Sequence, residues 1–399
     1  MGLKAPCSRV GKHGDYSVKI KSIRSYVVDN GTKKHWIFVR IETDAGIVGW
    51  GEAYSQSDRE NAIVSHLVQF GRYLVGRDPF QIKYAVTMLR DDYVHRRGSM
   101  EFYSALSGLE IALWDIVGQA CNQPVHNLLG GRYRDRIRVY ANGWAYEAKT
   151  PFDIAKAAEA VVSRGFTALK FDPFPLPVRT YIDKDVERHA VSMVSAVRDA
   201  VGDDVEMLIE CSRRFSPNIA SRFAKAIAQL HPYWIEEPVP AFDLEGLQEV
   251  RQVSDSPIVA GETLYTKDDF RSLFAARGAD IINPDISVCG GLLELKEIAA
   301  TAESHHVGVS PHNYNSTTVS LAATMQASAG MPNFLLTEYF LSFDKVGCEI
   351  CDVPLIPVNG FIDLPERPGI GIALKEDELL KRAAIGTPFR TLRTVSAET

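Results

Sequence analysis

The spacing of apolar positions changes once along the chain, and the change divides it. Residues 18–29, 34–43 and 47–53 are rich in β-branched and aromatic side chains, and Asp44-Ala45-Gly46 between the last two signals a tight hairpin. Helical spacing follows over 59–75 and 104–121. Strands followed by helices predict an α+β domain. From about Arg136 short β-type runs recur at 138–144, 168–171, 206–211, 233–236, 257–260, 281–283, 307–310 and 334–336. Amphipathic segments separate them. Across 186–201, Val186, Ala190, Val191, Met193, Val194, Ala196, Val197, Ala200 and Val201 form a helical stripe. Eight strands alternating with helices predict parallel pairing, and eight is the number that closes a (β/α) barrel. The tail from about Pro357 has no barrel period and is expected to return to the first domain. The predicted division is a capping domain over 1–136, a barrel over 137–356 and a returning segment over 357–399.

Composition narrows the class. The 399 residues are 46% hydrophobic and carry a formal charge of −6, which excludes disorder and gives no basic stripe for nucleic acid. No run of 18 apolar residues and no signal-peptide core occurs, so neither a membrane span nor secretion is expected. Six scattered cysteines, with Cys348-x-x-Cys351 lacking a second pair, read as reduced thiols of a cytoplasmic protein. No Walker, Rossmann or zincin motif is present. Gly290-Gly291 opens a helix, where close packing is favoured over an anion cradle.

The chemistry lies at the predicted strand ends, where the βα loops of a barrel converge. Lys170 and Asp172 follow the second strand, then Glu210, Glu236, Glu262, Asp285, His312 and Glu338 follow one strand each, the last six at intervals of 23–27 residues. An isolated Glu at a strand end is most simply half of a surface ion pair. Three in phase, Glu210, Glu236 and Glu262, after apolar strand cores need a shared cation, and hard oxygen ligands suit Mg²⁺. Glu237 points the other way and is expected to support the ligands. His312 with Asp285 on the neighbouring strand forms a base dyad in which the carboxylate sets the tautomer. Lys170 and Asp172 both face the interior, either as an ion pair or as a substrate anchor with acid/base capacity. Glu338 either donates to substrate when protonated or partners Lys170. Such a mouth suits proton abstraction α to a carboxylate, the charge that develops being stabilised by metal and lysine.

These residues resemble the enolase superfamily, mandelate racemase-type subgroup. The resemblance runs through Gly49-Trp50-Gly51-Glu52, Ala112-Leu113-Trp114-Asp115, Leu129-Gly130-Gly131, Trp234-Ile235-Glu236-Glu237-Pro238, Gly261-Glu262, Pro284-Asp285, Pro311-His312 and Pro368-Gly369-Ile370-Gly371. It implies a modified (β/α)₇β barrel of the TIM type, a cap completed by the C-terminal tail, and one Mg²⁺ per subunit on Glu210, Glu236 and Glu262 with His312–Asp285 as base. Tyr140-Ala141-Asn142-Gly143-Trp144 and the 168–174 segment are similar to gluconate/galactonate dehydratases. Three departures stand out. Most of the subgroup has Asp where this chain has Glu210. Those dehydratases commonly carry His, the acid for the leaving hydroxyl, where this chain has Ser212. Mandelate racemase has Lys in place of Asp172.

The resulting expectation is a Mg²⁺-dependent dehydratase of a sugar acid that forms a 2-keto-3-deoxy acid through a metal-stabilised enediolate. Its partner is a small carboxylate substrate, with Lys170, Asp172, Ser212 and Glu338 as contacts. The acid would be His312 itself, Lys170, Asp172 or Arg213. An epimerase, racemase or cycloisomerase, and a non-catalytic sugar-acid-binding or regulatory protein, remain the alternatives. Loops near 29–36 and 54–58 are expected to read the substrate's stereochemistry, and a symmetric homo-oligomer is the default.

Overall fold

The computed structural model describes residues 18–32, 34–175 and 180–386, so Cys7 and the end of the expected returning segment lie outside the described residues. The chain opens with an antiparallel sheet of β1 (Ile20–Val28), β2 (Trp36–Thr43) and β3 (Val48–Ala53). The β2–β3 hairpin closes at the expected turn, Thr43 N–H donating to the Ile47 carbonyl at 2.9 Å. Helices α1 (Glu60–Leu74), α2 (Ile82–Met88, continued by a π turn over Leu89–Tyr93), α3 (Met100–Ala120) and the short α4 (Val125–Leu128) complete this layer. Helix α3 lies directly on β3 because Gly51 has no side chain there; a Cβ would sit 1.8 Å from the Gly108 carbonyl oxygen. It is buried on nearly every side. Leu109 and Ile116 join the core of the cap, while Ile111 joins that of the barrel.

Eight parallel strands follow: β4 (Arg136–Asn142), β5 (Ala168–Phe171), β6 (Glu206–Glu210), β7 (Trp234–Glu236), β8 (Ile258–Ala260), β9 (Ile281–Ile282), β10 (Gly308–Val309) and β11 (Thr337–Phe340). The helices between them are α5 (Pro151–Ser163), α6 (Lys184–Val201), α7 (Pro217–Ile227), α8 (Leu244–Val253), α9 (Thr266–Ala276), α10 (Leu292–Ser304) and α11 (Val319–Ser328). Strand order runs β10-β9-β8-β7-β6-β5-β4-β11, and Leu335 N–H to Val309 O at 2.9 Å closes the ring. Among the described residues, seven helices between eight strands make the (β/α)₇β barrel.

The eighth strand departs from the sequence expectation of 334–336. The paired strand is Thr337–Phe340, in register with Val139–Asn142 of β4, while Phe334 makes only an isolated bridge to Val309. The apolar run Phe334-Leu335-Leu336 marks the burial, but the stagger that closes a barrel decides the pairing: the segment meets β10 low and β4 higher up. After α12 (Asp344–Ile350), β12 (Phe361–Asp363) pairs antiparallel with the lower end of β4, Phe361 opposite Arg138. The chain then reaches α13 (Glu376–Lys381), and Ala384 N–H donates to Val27 O at 2.9 Å, tying the tail to β1.

Side chains alternate across a strand, and here the alternation builds a floor. Tyr140, Ala168, Leu208, Trp234, Val259, Ile281 and Leu336 point inward and pack as one apolar layer. Whatever stands two residues further on is presented just above it.

Candidate active site

Two residues above that layer come Asn142, Lys170, Glu210, Glu236, Asn283 and Glu338, so one step of strand period turns the floor polar. Glu262 is three residues beyond Val259 and would be out of phase. Gly261, at φ +134°, absorbs the extra residue; a Cβ on it would meet Phe270 at 2.6 Å.

The three glutamates converge. Glu210, Glu236 and Glu262 each offer a carboxylate oxygen, all within 4.8 Å of one another. Glu236 is fully buried and fixed by Lys170 Nζ at 2.7 Å, Asn283 Nδ2 at 3.0 Å and Trp234 Nε1 at 3.0 Å. Lys170 also lies 3.1 Å from Glu338 and 3.8 Å from Glu210. Burial alone would lower the Lys170 pKa, but Glu236 and Glu338 overcome it and hold the ammonium charged. Burial and the neighbouring Glu236 push Glu210 well above the usual carboxylate range. Burial opposes ionisation of Glu262 too, yet Arg213, His312 and Lys170 bring it down to about 2. Glu237 sits at φ +46° and turns its carboxylate onto the next strand end, accepting from Gly261 N–H at 2.7 Å and Glu262 N–H at 3.3 Å. It braces the turn that carries Glu262.

Charge accounting tests whether this set fits a metal. Five linked carboxylates (Glu210, Glu236, Glu262, Asp285 and Glu338) face three cationic groups, Lys170, Arg213 and a protonated His312. With all five ionised, two negative charges would be unmatched beside three oxygen donors close enough to share an ion, and the raised Glu210 is where that excess is felt when no cation is bound. An all-oxygen set with that deficit fits Mg²⁺.

His312 Nδ1 is 2.7 Å from Asp285, which is itself buried and accepts from Ser287 N–H at 2.8 Å. The other ring nitrogen is 3.3 Å from Glu262 and 3.6 Å from Glu338. Burial favours neutral imidazole, but the Glu262, Glu338 and Asp285 carboxylates prevail and push His312 up to about 10. Occupation of the carboxylates by a cation would remove part of that field.

A cavity of about 760 Å³ opens above these groups, lined by Lys170, Glu210, Glu262, His312, Asp172 and Ser212, and by Lys34, Tyr54 and Gln56 from the cap. Both loops expected to read the substrate therefore reach it. Lys170 and Asp172 do not pair with each other, contrary to one expectation. Lys170 is committed to glutamates, whereas Asp172 accepts from Arg214 and from Phe174 N–H at 2.9 Å. Burial still raises Asp172 against those donors. Glu338 is fully buried and is not among the lining residues. Burial would raise it, but Lys170 and His312 lower it, and it pairs with Lys170 at 3.1 Å, one of the two expectations for it. Ser212 stands at φ +53°, its N–H bonded to Glu210. The Gly290-Gly291 turn holds no free anion site: Glu110 of α3 occupies the start of α10, accepting from Leu292 N–H at 2.7 Å and Leu293 N–H at 3.0 Å.

Sequence reasoning missed Tyr314 and reached Lys34 only as part of the 29–36 loop, without a role of its own. Tyr314 stacks on His312 with ring centroids 6.1 Å apart, and Lys34 Nζ donates to its hydroxyl at 2.8 Å. Its position two residues after His312 was the available signal.

The molecule has close relatives in sequence and in fold. Residues 22–130 match the mandelate racemase / muconate lactonizing enzyme N-terminal domain, and residues 153–378 match the enolase C-terminal domain-like family. A D-gluconate dehydratase of Thermoproteus tenax is 37% identical over 376 residues, covering 92% of this chain and 75% of its own. A D-galactonate dehydratase of Verminephrobacter eiseniae is 33% identical over 92% of this chain and 94% of its own. A crystal structure of an enolase superfamily member from Salmonella Typhimurium superposes with a TM-score of 0.87 at 28% identity, covering 91% of this chain and 98% of that one. With both of its domains matched and its strand-end carboxylates gathered at one barrel mouth, the chain belongs to the mandelate racemase/muconate lactonizing enzyme family of the enolase superfamily.

Proposed function

We propose that the protein is a Mg²⁺-dependent dehydratase of a sugar acid, an aldonate or aldarate, yielding a 2-keto-3-deoxy acid. It is a hydro-lyase of the class to which its relatives named for D-gluconate and D-galactonate belong. One observation carries the reading: Lys170, Glu210, Glu262 and His312 line one cavity, with Glu236 beneath them completing three carboxylates whose oxygens lie within 4.8 Å and Asp285 behind His312.

Glu210, Glu236 and Glu262 would hold the ion. When bound, Mg²⁺ supplies a Lewis acid that stabilises negative charge on the substrate's carboxylate oxygens. Lys170 sets an ammonium beside the same place and needs no reorientation during reaction, because Glu236 and Glu338 hold it fixed. Asp285 holds a proton on Nδ1 of His312, which leaves the other ring nitrogen to take the proton α to the carboxylate. A positioned base contributes ~10²–10⁴ in rate, or about 3–5 kcal/mol, so most of the barrier reduction falls to Lys170 and the ion. Loss of the β-hydroxyl as water then leaves an enol that becomes the keto acid. Lys34, Tyr54 and Gln56 line the same cavity from the cap and are placed to meet the remaining hydroxyls.

The test is a panel of hexonates, pentonates and aldarates incubated with Mg²⁺ in D₂O, with keto product trapped by semicarbazide. Dehydration of at least one acid, abolished by exhaustive chelation and restored by Mg²⁺, is expected. Deuterium entry at C2 without keto product would replace dehydration by epimerisation. Full activity after chelation would remove the metal from the reading.

A further inference from the structure

Proton abstraction has a clear agent in this site, but departure of the β-hydroxyl needs a proton donor, and Ser212 occupies a position that offers none. Its hydroxyl is turned to Asp172 and its N–H to Glu210. Three further candidates, Lys170, Arg213 and Asp172, are committed as well. Lys170 is shared among Glu236, Glu338 and Glu210. Arg213 is paired with Glu262, and a guanidinium does not release protons. Asp172 is ringed by donors: Arg214, Ser212 and the Phe174 N–H.

Tyr314 is different. Its ring is nearly parallel to that of His312, at 10°, and is wedged by Phe340 with centroids 4.8 Å apart. Lys34 Nζ donates to the phenol oxygen at 2.8 Å and lies 4.1 Å from the ring centroid. Tyr146, its side chain largely exposed, lies next to the same residue. With Lys34 donating to its oxygen, the Tyr314 hydrogen is free to point elsewhere, and the residue lines the cavity beside the base. The loop bearing Lys34 is held there: Asn315 Nδ2 donates to the Lys34 carbonyl at 3.1 Å, Asn30 Nδ2 donates to that carbonyl at 2.8 Å, and Trp36 Nε1 donates to the Asn315 carbonyl.

We propose that Tyr314 is the catalytic acid that protonates the departing hydroxyl, with Lys34 as the positioning residue that stabilises the phenolate left behind. The inference rests on the dehydratase reading. His312 takes the C2 proton; the C2–C3 double bond forms as the C3–O bond breaks; the departing oxygen takes the Tyr314 proton and leaves as water. His312 then delivers the proton it took to C3, the enol hydroxyl gives up its proton to solvent as the ketone forms, and the Tyr314 phenolate recovers a proton from solvent. Because acid and base stand side by side, proton and hydroxyl leave from the same face of the substrate.

The experiment compares wild type, Tyr314→Phe and Lys34→Met on D-gluconate and D-galactonate with Mg²⁺ in D₂O, reading keto product and C2 deuterium in recovered substrate. Tyr314→Phe is expected to lose ~10²-fold or more in product formation while C2 exchange continues, so the two rates separate. Lys34→Met is expected to lose about tenfold in product formation, again with exchange retained. With 3-deoxy-3-fluoro-D-gluconate, whose fluoride leaves without needing a proton, Tyr314→Phe should come within a few-fold of wild type. Unchanged product formation in Tyr314→Phe overturns the assignment and returns the acid role to His312. Parallel loss of exchange and product, with an unchanged melting temperature, also overturns it, because the defect would then precede C–O cleavage. If wild type dehydrates neither acid nor any other in the panel, the dehydratase reading fails and the assignment falls with it.

Discussion

Replacement of Asp285 by Asn tests the base in a way the structure makes specific. The carboxylate has two committed oxygens: one accepts from Ser287 N–H at 2.8 Å and from the Ser287 hydroxyl, and the other meets His312 Nδ1 at 2.7 Å. An amide of the same shape must keep its oxygen toward Ser287, where both partners donate. Its NH₂ group then faces Nδ1, which has to accept, and the imidazole proton moves to Nε2. That nitrogen loses the lone pair with which it would take the substrate proton. The fold should be undisturbed, since volume and the Ser287 contacts are conserved. The expected cost is the whole contribution of a positioned base, ~10²–10⁴ in kcat or about 3–5 kcal/mol, with KM little changed because the metal ligands and Lys170 are untouched. Steady-state trapping of keto product gives kcat, C2 deuterium exchange gives the base step directly, and a melting curve checks the fold. A variant that retains kcat within about tenfold of wild type, at an unchanged melting temperature, would refute the tautomer argument and the role of His312 together.

Three further perturbations probe the frame around the site. Burial raises Glu52 to about 7 against the opposing hydrogen bonds of Ser320 N–H and Ser316, so the folded state binds this proton more tightly than an unfolded chain does. Its contribution to stability is therefore complete below about pH 4.5 and fades as pH rises to about 7; Glu52→Gln should remove up to about 3 kcal/mol of that dependence, read as a flatter plot of urea midpoint against pH. Glu110→Ala leaves the Leu292 and Leu293 N–H groups at the start of α10 without their acceptor and should cost about 2–4 kcal/mol by urea denaturation, with Glu110→Gln losing less. Gly261→Ala combines φ +134° with a Cβ 2.6 Å from Phe270; it should lower stability by about 2 kcal/mol or more and weaken Mg²⁺ binding by calorimetry through displacement of Glu262.

The barrel was legible because its strands repeat one local rule. Each is a short apolar run whose inward residues form the floor and whose next inward residue carries the chemistry, so strand period alone places Lys170, Glu210, Glu236 and Glu338 in one layer. The rule fails where closure matters more than composition. Phe334-Leu335-Leu336 is the most strand-like stretch before Glu338, yet pairing with β4 begins at Thr337, because the stagger between first and last strands is a property of the ring and no local pattern encodes it. The same limit hid β12, a strand of three residues that exists only because the lower edge of β4 is there to receive it.

The site divides along the same line. Residues delivered by the strands could be found by counting; residues delivered by meeting loops could not. Lys34 and Tyr314 are 280 residues apart and touch only because the Asn30, Trp36 and Asn315 contacts dock one loop of the cap onto the loop that follows β10. Nothing in the composition of either segment marks the pair. The division has a chemical counterpart. The strand-borne groups fix where negative charge is tolerated, a demand common to any reaction that begins by taking a proton α to a carboxylate. The fate of the resulting intermediate depends on which side chains line the rest of the cavity, and those come from the cap and the βα loops. A barrel floor of this kind therefore sets the first half of the reaction, and Tyr314 with Lys34 stands where the second half is decided.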